Sequence, residues 1–422
     1  MLNKVIYMKI EKKYCFDLNS ILGRFLSQTQ IHEYIDSIAL DFLPQQPLRM
    51  TSDENQLNDY FNENIQTKKI RLLSDTLVTY VGKILTEEKY IEFLLEFGKL
   101  ILTRGENNLT LDITLMVYSL VDKKKKYENY KAQTFLLFAD YHMRQASWKE
   151  AFNAIKRAKA IFESVGNKSG LGECEFLIGS AFVEQGDLKA GKFRLENCLT
   201  YLNQENDPVL FAMIDVHLGI IAFIEENLEL ALNYYNKALS KFELLGDERR
   251  RAETLLNKGV VYRNLGQIEK AIEIFNESSD IARQNGFLPT LNLCFVNKAE
   301  IYLQKEELER STRYSQKAIE LSYLLNDRLS IADVHKILGV ISKKQKNYSL
   351  AENYLLTSLR LNHELNEELN AADANYELGL LYKEKGNKDN ARIHLTCALN
   401  YYIHNNSKTF SAVIESQLSS LM

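Results

Sequence analysis

Small residues return every forty positions through two thirds of this chain. Ala139, Gly179, Gly219, Gly259, Ala299, Gly339 and Gly379 form one column. Twelve residues further on, Ala151, Gly191, Ala231, Ala271, Ser311, Ala351 and Ala391 form a second, and seven beyond that Ala158, Cys198, Ala238, Ser278, Ala318, Ser358 and Ala398 form a third. A fixed period of this length is the mark of a stacked array of like supersecondary units. Small side chains inside helices let neighbouring helices approach closely, and a glycine there gives up about 1 kcal/mol of helix propensity for that contact. A fourth column, Gly166, Asn206, Gly246, Gly286, Asn326 and Asn366, holds only the two residue types that readily enter the left-handed conformation ending a helix. It marks the turn between units, and Gly186, Gly266 and Gly386 mark a shorter turn within them. The four prolines stand at 44, 47, 208 and 289, so long tracts are open to helix and the chain reads as all-α.

The stretch "NKGVVYRNLGQIEKAIEIFNESSDI", with Gly259, Tyr262, Gly266, Ala271, Phe275 and Ser278, resembles the tetratricopeptide repeat, a helix-turn-helix unit. "LGIIAFIEENLELALNYYNKAL" and "LGLLYKEKGNKDNARIHLTCAL" repeat the spacing. That family's common period is about 34; here it is forty, and the proline that often closes the unit is missing, which longer helices explain. The long variant is similar to that of kinesin light chains, spindle-orientation adaptors and bacterial peptide-pheromone receptors, all of which bind peptides. The resemblance implies an α-solenoid, a right-handed superhelix of seven such units over 131–404, with a C-terminal capping helix over 405–422. Residues 1–130 read as a helical region. Gly98 and Gly105, seven apart, suggest a degenerate leading repeat near 88–122, and "LPQQPLRMTSDENQ" reads as a loop. Two roles stay open for this region: a cap over the first repeat's apolar face, or an effector or dimerisation domain.

In the family the first helix of each unit lines the concave face. Carried over, the resemblance places Leu136, Phe176, Val216, Leu256, Val296, Lys336 and Tyr376 in one inward row, and Met143, Val183, Phe223, Arg263, Leu303, Lys343 and Lys383 in another. Both run from apolar to basic. Phe176, Val216, Ile220 and Phe223 would form an apolar part of the groove, and Arg263, Lys336, Lys343 and Lys383 a basic part. A protein or peptide with an apolar and an acidic segment would suit it. Against this, exposed lysines commonly form a solvated face, and the apolar residues would equally serve as core. Asn257 and Asn297 stand where peptide-binding members hold a peptide backbone with asparagines; the alternative is a hydrogen bond between repeats.

The remaining features exclude more than they suggest. With 52 basic and 56 acidic residues the chain lacks the excess of a nucleic-acid binder, and the Lys123–Lys126 run beside Asp122 and Glu128 reads as a solvated linker. Five scattered cysteines form no C-x-x-C pair, which fits a reducing, cytoplasmic setting rather than zinc or disulfides. No apolar tract is long enough for a membrane helix. The seven histidines include no H-E-x-x-H, and no nucleophile elbow or P-loop occurs, so neither catalysis, metal nor cofactor is expected. His217 reads as a packing residue. The expected function is a non-catalytic scaffold or adaptor. The alternatives are a regulator answering to a signal peptide, with the N-terminal region as effector, and self-assembly through the solenoid's ends.

Overall fold

The computed structural model describes residues 21–39, 71–103, 106–203, 205–404 and 407–421, and among them every regular element is a helix. The first twenty residues, the loop expected over 43–56, and Gly105 lie outside the described residues. The chain divides into two compact units, Met1–Glu248 and Arg249–Met422.

In the first unit the helix Gln28–Ala39, a helix over 71–84, and the hairpin Glu87–Thr103 and Asn107–Val121 share one core. Leu22, Leu26, Ile31 and Tyr34 pack there with Leu77, Val81, Ile91, Phe93 and Leu94. The Tyr34 hydroxyl donates to the Leu73 carbonyl (2.9 Å) and that of Tyr80 to Gln30 (2.9 Å), so the phenols are paired on burial. Three antiparallel pairs follow: Glu128–Arg144 with Trp148–Val165, Lys168–Glu184 with Leu188–Cys198, and Pro208–Ile224 with Leu228–Leu245. The second unit holds Glu248–Asn264 with Ile268–Asn285, Leu288–Gln304 with Leu308–Leu324, Arg328–Lys344 with Tyr348–Leu365, and Glu368–Glu384 with Lys388–His404. A last helix, Lys408–Ser419, packs on the final pair, with Ile414 and Leu421 buried beside Leu378, Leu395 and Tyr402. Each unit is thus a stretch of α-solenoid.

The first column does what its spacing implies. A Cβ on Gly259 would stand 2.6 Å from the Phe275 ring sixteen residues on, one on Gly219 equally close to Tyr235, and those on Gly339 and Gly379 2.6 Å from Leu355 and Leu395. Glycine on the first helix makes room for a large side chain on the second. At Ala299 the partner sixteen on is Ser315, the smallest in that column.

The turns agree in part. Gly166, Gly246, Gly286, Asn326 and Asn366 adopt positive φ, as do Gly186, Gly266 and Gly386 inside the pairs. Asn206 does not. The second helix of its pair stops at Cys198, because Asn203 accepts the N–H groups of Asn206 (3.1 Å) and Asp207 (2.8 Å) while the Asp207 carboxylate takes the N–H of Asn203 (3.0 Å). Such local bonding competes with helix continuation. Within the other pairs the left-handed position is held by Ala146, Glu226, Glu306 and Lys346, where no glycine advertises it.

Candidate partner-binding face

Within each unit first helices of successive pairs adjoin one another, and polar side chains bridge them at separations of 34 or 37 residues. That is one repeat less two turns or one. In the first unit the Ser180 hydroxyl meets His217 Nε2 (2.7 Å), whose Nδ1 faces the Met213 carbonyl (2.9 Å). His217 also stands edge-on to Phe176 at 4.9 Å, and burial lowers its pKa, so the ring is neutral, donating through Nδ1 and accepting at Nε2. It is a bridge between repeats.

The expected apolar residues divide by depth. Phe176 is 5% exposed and belongs to the core with Leu177, Val183 and Ile221. Val216, Ile220 and Phe223 are half-buried, and Ile224, which the inward rows do not include, is 50% exposed. All four lie on Pro208–Ile224, whose one charged residue, Asp215, is tied to Lys241 at 2.6 Å. A helix so apolar on every side is normally covered completely. This one keeps part of one face open.

In the second unit the basic residues are committed. Arg263 donates to Asn297 Oδ1 (2.9 Å) and pairs with Glu300; Lys336 pairs with Asp373 (3.3 Å) and Lys343 with Glu377 (2.6 Å); Lys383 donates to Gln417 Oε1 (2.7 Å) and Ser420 Oγ (2.6 Å). Burial pulls the Lys336 pKa down, but Asp373, Glu300 and Asp333 together hold it above the usual lysine value. The open basic groove expected from the sequence is therefore corrected: Lys336 and Lys343 are neither a solvated face nor free ligand contacts. They join neighbouring repeats. Asn297 does likewise, its amide also donating to Leu293 O (2.8 Å), whereas the Asn257 side chain makes no hydrogen bond among the described residues.

The rows missed the acids, Glu300, Asp333, Asp373 and Glu377. For all but Asp333, a cation followed 34 or 37 residues later by a carboxylate was the available signal. No group of three or more His, Cys, Asp or Glu side chains among the described residues could hold a metal, and no described helix is long and apolar enough to cross a membrane.

A row of paired helices with small-for-large exchange inside each pair and side-chain bridges between first helices defines a helical-repeat protein. The chain carries tetratricopeptide repeats: models of that repeat match residues 210–284 and 372–401. A TPR repeat-containing protein of Methanocaldococcus jannaschii is 23% identical over 266 residues, which is 62% of this chain and 44% of that one. The chain spans about half the length of the curated relatives it matches. A signal-transduction ATPase with a tetratricopeptide repeat sensor from Pyrococcus horikoshii superposes with a TM-score of 0.57 at 17% identity, over 88% of this chain and 56% of its own. A Rap protein complexed with competence and sporulation factor gives 0.55 at 11% identity, over 79% and 98%. At such identities the likeness establishes the fold.

Proposed function

We propose that the chain is a non-catalytic repeat scaffold that holds a segment of a partner protein or peptide on its first-helix faces. The observation that carries this is the half-open apolar row Val216, Ile220, Phe223 and Ile224 on an almost uncharged helix. Rigid helices present such pockets at fixed spacing, so a bound segment meets a preorganised surface and the ordering cost falls on the segment alone. Asn257 offers a donor and an acceptor for an extended backbone. Cys174, Cys198 and Cys294 are free and buried, which suits the reducing cytoplasm.

Affinity capture tests the reading, with wild type beside Ile220→Asp and a control at an exposed lysine, Lys123→Ala, and both proteins and short peptides sought in the eluates. A ligand kept by wild type and the control and lost by Ile220→Asp is expected. Equal retention by all three, with each variant melting like wild type, would sink it. A second reading, a regulator switched by a signal peptide, draws on one observation: likeness to the factor-bound Rap protein covers 79% of the chain, more than the repeats alone occupy. In that case the captured ligand is a short peptide.

A further inference from the structure

The ion pairs between first helices of 249–422 share an orientation. In each of the three the carboxylate keeps more of its surface than the cation it holds: 27% for Glu300 against 21% for Arg263, 37% for Asp373 against 18% for Lys336, and 22% for Glu377 against 8% for Lys343. The cations sit deeper and the acids are the more open partners.

A fourth acid belongs to the same face and has no mate. Asp333 stands one turn before Lys336 on Arg328–Lys344, and its carboxylate makes no hydrogen bond or ion pair among the described residues. Lys336 acts on it from its own helix, Asp327 from that helix's N-cap, Glu300 from the preceding first helix and Asp373 from the following one. Burial pushes its carboxyl up to about 6, against the pull of Lys336 and with the push of the three acids. Lys336 is drawn instead toward Asp373, whose other oxygen takes the Tyr402 hydroxyl. Around Asp333 the unmatched charge is negative; Lys383, the cation held by neutral Gln417 and Ser420, stands on the last first helix, Glu368–Glu384.

At Asp333 an arriving anion would meet the carboxylates first, and to reach Lys336 or Lys343 it would have to break an existing, shielded pair. An arriving cation breaks nothing and relieves the repulsion on Asp333. We propose that the first-helix face of 249–422 receives a cationic side chain of the partner segment, lysine or arginine, seated on Asp333 between Glu300 and Asp373. This rests on the reading of the first helices as the binding face, and it reverses the acidic ligand expected from the sequence.

The test uses the full chain on arrays of immobilised random-sequence peptides graded in net charge, with affinities of retained peptides then measured by fluorescence polarisation. Wild type is compared with Asp333→Asn, with Val260→Asp, and with Glu309→Gln on a second helix; Val260 is half-buried on the first helix Glu248–Asn264, forty residues after Ile220. Because the Asp333 carboxylate makes no hydrogen bond, Asp333→Asn removes charge without orphaning a partner, and an unchanged melting curve verifies it. Expected are a wild-type preference for lysine- and arginine-bearing peptides, a loss of roughly ten-fold in affinity for them in Asp333→Asn, and no loss in Glu309→Gln. A wild-type preference for acidic peptides, or peptides lost by Val260→Asp yet bound equally by Asp333→Asn, would overturn the charge inference and leave the binding face standing. If wild type retains nothing, or Val260→Asp loses nothing, the binding face fails and the inference with it.

Discussion

At Gly259 and Phe275 one hydrogen on one helix makes room for one ring on the next. Gly259→Leu overfills a contact already at 2.6 Å for a bare Cβ and is expected to cost about 1–3 kcal/mol in denaturant unfolding. At Gly266, where φ is +72° and a Cβ would meet nothing, alanine is expected to cost only about 1 kcal/mol, through backbone strain alone. Equal losses at both sites would mean that the first column is not a packing contact. Lys298 is the residue the repeat pattern least foresees. It is 3% exposed, its ammonium donates to Ser279 Oγ (2.8 Å), and burial lowers its pKa to about 8 against the opposing pull of Cys294 and Asp280. With the folded value below the unfolded one, the unfolded chain holds more protons between about 8 and lysine's ordinary 10.5, so wild-type stability rises with pH across that window. Lys298→Met is therefore expected to be more stable by about 1–3 kcal/mol at pH 7. Its advantage should shrink by pH 10, and urea titrations at the two pH values decide it; a constant difference would show that the charge is not the cause.

Between elements, Glu175 ties three helices together. On Lys168–Glu184 and fully buried, it takes Lys159 (2.6 Å) from the preceding pair's second helix and Arg194 (3.0 Å) from its own. Burial alone would raise its pKa, but the bonds from Lys159 and Arg194 hold it below the usual carboxylate value. A depressed carboxylate contributes stability above its unfolded pKa and loses it as pH falls through the folded one. Glu175→Gln, which keeps the shape and removes the charge, is expected to cost about 1–3 kcal/mol at neutral pH. The gap to wild type should close on acidification, and thermal melts at pH 7 and pH 3 read it. How far such features can be read from sequence depends on what enforces them. The forty-residue columns are legible because a large residue at Gly259 or Gly379 collides with Phe275 or Leu395, so sterics leave only small residues there. The left-handed turns at Ala146, Glu226, Glu306 and Lys346 are illegible because the helices on either side impose them on ordinary residues. The early end of the helix at Cys198 is illegible because a cluster of Asn203, Asn206 and Asp207 bonds mimics the turn signal expected a few residues later.

Over the whole molecule the candidate site was half legible. Apolar residues of the first helices could be aligned by counting, and Val216, Ile220 and Phe223 stand together on one helix. The charges could not be read that way, because a lysine seen alone gives no sign of the carboxylate that docking brings to it. Lys343 and Glu377 are 34 residues apart in the chain and 2.6 Å apart in space. This matters for what binding can do. Bridges between successive first helices, such as Ser180 to His217 and Lys336 to Asp373, set the spacing of neighbouring repeats, so a ligand can change that spacing only by binding one arrangement better than another. A scaffold needs no such difference, whereas a regulator does. Small-angle scattering of the full chain with and without its captured ligand separates the two. For the scaffold the radius of gyration is expected to stay the same once the ligand's own mass is allowed for. A contraction on binding that Ile220→Asp abolishes would overturn the static scaffold in favour of the peptide-switched regulator.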